Sequence, residues 1–180
     1  MNFDLKEEHE MIRQAARDFA VNECLPGVLE RDEKQQFPRE QIEKLAVLGF
    51  LGMMIPEQYG GSGLDTISYV LAMEEISKID ASVSVCMSVN NSLVCYGLNE
   101  YGTEQQKMKY LYPLAKGKKD GALYIGAFLL SEPEAGSDAT SQRTTAVDKG
   151  DNFVLNGVKN WITNGNSASV YLVMAQTNPE

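Results

Sequence analysis

The sequence predicts an α+β fold: an N-terminal all-α helical domain followed by part of an antiparallel β-barrel or sheet domain. Three observations carry this. Apolar residues recur at helical spacing behind N-cap signals as far as residue 115; alternating runs divided by glycine and asparagine turns fill the rest; and the character switches at Lys116-Gly-Lys-Lys-Asp-Gly121. A domain boundary is therefore expected near residue 120, with a helical domain over 1–120 and an incomplete β domain over 121–180.

The elements follow in order. Asp4 and Glu7 form an acidic capping box, and Leu5, Ile12, Ala16 and Phe19 then recur on one helical face, with His9 on the same side as a packed or edge histidine. Phe37-Pro38 opens a second helix that buries Ile42, Leu45, Ala46 and Leu48 and stops at Gly49. The glycines of Pro56-Glu-Gln-Tyr-Gly-Gly-Ser-Gly63 read as a shaped turn, because a phosphate loop would need a strand before it and Gly-Lys-Ser/Thr after it. Asp65 or Thr66 caps a third helix, apolar around most of its girth, whose Glu74, Glu75 and Lys78 read as a solvated stripe. A fourth helix over 81–98 sets Val85, Val89, Leu93 and Tyr96 on one side and Ser84, Ser88 and Ser92 on another. The serines suit either close packing between helices or the wall of a slim pocket. Thr103 and Gln106 make a capping box for a fifth helix, with Tyr110, Leu111 and Leu114 inward.

Beyond the switch, Leu123, Ile125, Ala127 and Leu129 alternate as in a half-buried strand. Strands are further expected over 144–147, 153–155, 158–163 and 170–175, with Asn156-Gly157 as a hairpin turn.

Composition narrows the function. A net charge of −9 and a pI of about 4.7 lack the basic footprint that nucleic acid or an anionic membrane requires. The polar N-terminus lacks the apolar segment of a signal peptide, so the expected location is cytoplasmic, and no apolar run has membrane-spanning length. Cys24, Cys86 and Cys95 form no CxxC pair and stand apart from the single histidine, so buried free thiols are expected and no metal site.

The chemistry gathers in two stretches. In Phe128-Leu-Leu-Ser-Glu-Pro-Glu-Ala-Gly-Ser-Asp138, Pro133 ends a strand ladder, Gly136 lets a ligand approach the main chain, and Ser137 with nearby amides offers donors. The same residues also make ordinary turns. In Lys159-Asn-Trp-Ile-Thr-Asn164, a strand would put Trp161 and Thr163 on one face, a flat ring beside a hydroxyl that suits a planar heteroaromatic ligand; burial of Trp161 in a core is the competing use.

With Pro56-Glu-Gln-Tyr-Gly-Gly-Ser-Gly63 and Tyr101-Gly-Thr-Glu-Gln-Gln-Lys107, the segments Ser131-Glu-Pro-Glu-Ala-Gly-Ser-Asp138 and Trp161-Ile-Thr-Asn164 stand in the order of the acyl-CoA dehydrogenase family. Over its whole length the chain resembles that family, most closely its short-chain, butyryl-CoA type. The resemblance implies FAD as cofactor, bound by Phe128, Leu130, Ser131, Gly136, Ser137, Trp161, Ile162 and Thr163, with Trp161 beside the flavin ring and Thr163 donating to N5. It also implies that Ser137 touches the acyl-CoA substrate, and that Ser88 and Ser92 line the acyl tunnel. The implied reaction is α,β-dehydrogenation of short-chain acyl-CoA thioesters to 2-enoyl-CoA, with electrons passed to an electron-transfer flavoprotein, in a full-length homotetramer. The family's catalytic base lies in a C-terminal helical domain with no counterpart in these residues, so no catalytic residue is assigned and these 180 residues are expected to be inactive alone. An acyl-CoA oxidase or nitroalkane oxidase on the same scaffold, or a non-catalytic truncated binding or assembly module, are the alternatives. Leu129, Glu134 and Asn160 depart from the family pattern, and Glu134 is expected to turn to solvent, away from phosphate.

Overall fold

The computed structural model describes residues 4–178. Its helical layer is built by α1 (Glu7–Phe19), α2 (Val28–Glu33), α3 (Arg39–Val47), α4 (Thr66–Ser77), α5 (Ala81–Ser88), α6 (Tyr96–Tyr101), α7 (Glu104–Gln106) and α8 (Tyr112–Lys116). Three π-helical turns, Ala20–Cys24, Val89–Cys95 and Lys107–Leu111, carry α1 onward, join α5 to α6 and join α7 to α8.

Local chemistry sets the ends of these helices. Asp65 accepts from the Ser68 amide at 2.9 Å to start α4, and Asp80 accepts from the Val83 amide at 3.0 Å to start α5. The Thr103–Gln106 capping box is formed, and α3 and α8 run into the left-handed glycines Gly49 and Gly117. The first helix departs from expectation: it begins at Glu7, and the Lys6 amide donates to His9 Nδ1 rather than to a carboxylate. His9 is buried, with Nε2 at 2.9 Å from Asp65 Oδ2, so it ties α1 to the cap of α4. The short helix α2 was not expected at all. The glycine-rich segment is a turn, and Gly61 is obligatory there because a Cβ would stand 2.0 Å from the Ile55 carbonyl oxygen.

The core differs from the sequence reading in three places. Leu48 is exposed rather than buried. On α4, Ile67 and Val70 face outward, whereas Glu75 is buried and takes two hydrogen bonds from Arg17, at 3.0 and 3.1 Å; of the stripe read as solvated, Glu74 and Lys78 are exposed and Glu75 is an ion-pair contact with α1. On the long helix, Val85, Leu93 and Tyr96 are exposed, and Val83, Met87, Val94, Asn90 and Asn91 point inward instead. The π-helical turn that starts at Val89 lets both neighbouring asparagines face the interior.

Asn90 and Asn91 organise the centre of the molecule. Asn91 accepts from the Met53 amide at 2.8 Å and donates to the Phe50 and Met87 carbonyls. Asn90 donates to the Leu51 and Leu114 carbonyls at 2.8 and 3.2 Å and accepts from the Gly126 amide at 2.9 Å, joining the helices to the first residue of the main strand. Two apolar clusters pack on either side of this network, one around Phe19, Leu45, Leu51 and Ile76, the other around Val94, Leu111 and Leu114.

The strands are β1 (Lys118–Lys119), β2 (Ala122–Leu123), β3 (Gly126–Leu129), β4 (Thr145–Asp148), β5 (Phe153–Asn156) and β6 (Val170–Val173). The β1–β2 and β4–β5 pairs are antiparallel, as expected, the latter around a turn closed by Lys149 N to Asn152 O at 2.9 Å. The β3–β6 pair is parallel, in the register Gly126↔Val170 to Leu129↔Val173, which corrects the expectation of a purely antiparallel sheet. Asn156-Gly157 closes no hairpin, and residues 158–163 form no strand; the chain there crosses beside the residues that follow β3. The α+β class holds. Among the described residues no helix is long and apolar enough to cross a membrane, and the three cysteines are free and buried.

Candidate functional site

The two stretches singled out in the sequence meet at the end of β3. The Asn160 amide donates to the Ser131 carbonyl at 2.9 Å, so the residues on either side of that bond, Leu130 to Glu132 and Lys159 to Trp161, run alongside each other. Beyond Ser131 the chain makes a tight turn in which Glu132 and Ala135 exchange backbone hydrogen bonds at 3.1 and 3.2 Å, with Pro133 and Glu134 at its tip. Gly136, Ser137 and Asp138 follow in the open.

Glu132 holds this turn from inside. Its carboxylate accepts from the Arg143 amide at 2.6 Å, the Thr144 amide at 3.0 Å and Lys159 Nζ at 2.7 Å, and Lys159 also donates to the Leu130 carbonyl at 2.9 Å and Gln142 Oε1 at 3.2 Å. The Arg143 amide first, then the Lys159 ammonium, hold the Glu132 carboxyl down to about 2. Asp138 is likewise lowered, by the Ser141 and then the Thr140 hydroxyl. Glu134 points outward, with Arg143 Nη1 at 3.0 Å from its Oε2, which agrees with the orientation expected for it.

Three features are unexplained by packing. Trp161 is 93% exposed with φ of +58°, so the expected strand face shared with Thr163 does not exist, and neither does burial of the ring in a core. A large aromatic held at the surface in a left-handed backbone is a presented surface rather than a structural filler. Gly136 has no positive φ, and a Cβ there would meet nothing within 4 Å, so neither backbone strain nor protein packing requires glycine. Finally, the Ser131 and Ser137 hydroxyls have no partner among the described residues.

The remaining candidates fall into place unevenly. Phe128 packs against the Val94–Leu111 cluster, Leu130 is half-buried with its carbonyl on Lys159, and Ile162 and Thr163 are half-buried at the start of the turn that leads to Asn164. A cleft of about 1010 Å³, bordered by Arg31, Leu129, Thr144, Lys159 and Asn164, includes Ile162 but not Phe128, Leu130, Ser131, Gly136, Ser137, Trp161 or Thr163. On the helical side, Ser88 accepts from the Tyr69 hydroxyl at 2.8 Å and Ser92 donates to the Ser88 carbonyl at 2.9 Å, beside the exposed Val85 and Leu93. Ser84 separates from them: it is buried and bonded to Ser77, so it belongs to the α4–α5 contact. Among the described residues no group of His, Cys, Asp and Glu gathers as a metal site.

Sequence reasoning missed Lys159, Asn164 and Asn90. Asn164 is buried at φ +64°, and its amide donates to the Cys86 and Gly126 carbonyls at 3.2 and 3.0 Å, so it locks the Trp161 segment onto both α5 and β3. The paired asparagines inside an apolar helix were the one visible signal; nothing in the residues around Lys159 and Asn164 marks them.

Residues 6–118 match the family model described as acyl-CoA dehydrogenase, N-terminal domain, and residues 127–180 the one described as acyl-CoA dehydrogenase, middle domain. The chain is 45% identical over 177 residues to the short-chain specific acyl-CoA dehydrogenase of Clostridium acetobutylicum, covering 98% of this chain and 45% of that protein. Among solved structures, it superposes on butyryl-CoA dehydrogenase from Megasphaera elsdenii with a TM-score of 0.91 at 42% identity, over 99% of this chain and 46% of that one. A chain in the structure of the electron transferring flavoprotein of Acidaminococcus fermentans gives 0.92 at 47%, over 99% and 46%. A glutaryl-CoA dehydrogenase from Mycobacterium smegmatis in complex with FADH2 gives 0.89 at 37%, over 97% and 44%. The chain thus spans about half the length of the proteins it matches. With both family models matched in sequence order and the fold shared throughout, the chain belongs to the acyl-CoA dehydrogenase family.

Proposed function

We propose that this chain forms the FAD-binding side of an enzyme that dehydrogenates short-chain acyl-CoA thioesters between the α and β carbons, giving 2-enoyl-CoA. The observation that carries the reading is Trp161, exposed at a left-handed backbone position and joined through the Asn160–Ser131 hydrogen bond to the serine- and glycine-bearing turn.

The residues present fit FAD. An exposed flat ring, Ser131 and Ser137 hydroxyls without a partner among the described residues, and a glycine whose added Cβ would meet nothing are what a planar flavin with an attached pyrophosphate would use. Leu130, Ser131, Ile162 and Thr163 would hold the ring, and Gly136 and Ser137 the phosphate side; Phe128 would support the strand from below. When bound, FAD supplies the acceptor for the β-hydrogen. Around it, Trp161 would exclude water from one side of the ring, and the Thr163 hydroxyl would donate a hydrogen bond at the accepting edge. Ser137 would also touch the acyl-CoA, and the Ser88–Ser92 pair would wall its acyl chain.

No carboxylate of the cradle can take the α-proton. Glu132 is enclosed and held near about 2, Asp138 is bonded to Thr140 and Ser141, and Glu134 faces Arg143 at the surface. We therefore assign these residues the electron-accepting half of the reaction and infer that residues 1–180 do not turn over alone. Their division into a helical domain over 1–120 and a β domain from 121, a cytoplasmic location, a homotetramer and an electron-transfer flavoprotein as electron acceptor complete the proposal. The flavin absorbance of the full-length protein tests it, together with the acceptor: butyryl-CoA should reduce electron-transfer flavoprotein with little oxygen consumption in that protein and not with residues 1–180 alone. Oxygen uptake instead would mark an oxidase.

A further inference from the structure

We propose that the buried Glu132–Lys159 pair is a positioning device that sets the relative placement of the two halves of the FAD cradle. This rests on the FAD reading of the cradle and assigns the pair a role within it.

Both side chains are 6% exposed, and between them they bind two separate stretches of backbone, at Leu130 and at Arg143–Thr144. Lys159 stands two residues before Trp161 and spends its three N–H donors on the Leu130 carbonyl, Glu132 Oε1 and Gln142 Oε1, at 2.9, 2.7 and 3.2 Å. Leu130 immediately precedes Ser131. Glu132 turns its other contacts to the Arg143 and Thr144 amides, where β4 begins. The Asn160–Ser131 backbone bond lies between these anchors, so the Trp161–Thr163 segment can shift relative to Leu130–Ser137 only if the ion pair breaks. An apolar pair could fill the same volume, but it could hold neither the Leu130 carbonyl nor the two amides. Neither group reaches the open face of the cradle, so the role is positioning and not catalysis.

The test uses the native protein and two variants, Lys159→Met and the paired Glu132→Gln/Lys159→Met, the second leaving no unpaired charge buried. Backbone amide exchange reads the cradle without flavin, and titration of the deflavinated protein with FAD reads its use. In both variants, exchange at 130–137 and 160–163 should accelerate together, with helices α1, α4 and α5 unchanged, and the FAD Kd should rise about tenfold. Should Lys159→Met fail to fold, the paired variant decides. If its Kd stays within twofold of wild type, or if its two cradle segments exchange as in wild type, the inference is overturned while the FAD reading stands. A wild-type protein that binds no FAD overturns both, whatever the exchange shows.

Discussion

Replacing Asn90 tests how the helical layer carries the cradle. Asn90→Leu keeps the volume of the side chain but removes its hydrogen bonds to the Leu51 and Leu114 carbonyls and from the Gly126 amide; Leu114 keeps the Gly117 amide and Leu51 the weak Cys95 thiol, whereas the Gly126 amide is left buried without its partner. At about 1–3 kcal/mol for the orphaned amide and about 0.5–1.5 kcal/mol for each of the two lost carbonyl hydrogen bonds, the loss is about 2–6 kcal/mol, which for a chain of this size lowers Tm by about 5–20 °C. Asn90→Asp should be comparably costly: it keeps an acceptor for Gly126 but sets a carboxylate oxygen against two carbonyls. The assay is thermal and urea unfolding of the native protein with its flavin removed. A loss below about 1 kcal/mol for Asn90→Leu would refute the reasoning, because it would mean that the Gly126 amide finds another partner.

Other expectations follow from the same contacts. Gly126→Ala would place a Cβ 2.5 Å from Val94 Cγ1, and should destabilise the protein by about 1–3 kcal/mol in the same unfolding assay. The hydrogen bond from Arg17 holds the Glu75 carboxyl down to about 2 from an ordinary value of 4.5, so its stabilisation is complete above pH 4.5 and is lost as pH falls toward 2. Glu75→Gln should flatten Tm against pH across that window, and parallel curves would contradict the assignment. Ser88→Phe should shift the preference among acyl-CoA chain lengths toward shorter chains by about tenfold in kcat/KM, since Ser88 sits half-buried beside Tyr69 and Ser92; an unchanged profile would remove these serines from the acyl site.

How much of this was legible in the sequence depended on how local its cause is. Asp65, Thr103 and Gly49 mark helix ends correctly because capping is decided by neighbours within a turn. The buried face of α5 was not readable from period alone: Val83, Val85, Met87 and Val89 cover several faces, and only packing against other elements selects Val83 and Met87. Glu75 looked solvated because Arg17, its partner, lies far away in sequence. The parallel pairing of β3 with β6 and the Lys159 contacts are non-local in the same way. The cradle itself was half visible. Its serines, Gly136 and Trp161 stood out by residue type, and the Glu134 orientation followed from charge. The left-handed backbone at Trp161, which turns the ring to the surface, leaves no mark on the pattern of residues around it.

The most direct measurement of the central claim is the visible spectrum of the full-length protein, taken under argon before and after addition of butyryl-CoA, beside that of residues 1–180 alone, whose bound flavin butyryl-CoA should leave oxidised. A flavin band that butyryl-CoA bleaches, and that Thr163→Ala weakens or makes slower to bleach, is the predicted result. A colourless full-length protein that takes up no FAD, a flavin in it that butyryl-CoA leaves oxidised, or bleaching by residues 1–180 alone would contradict it.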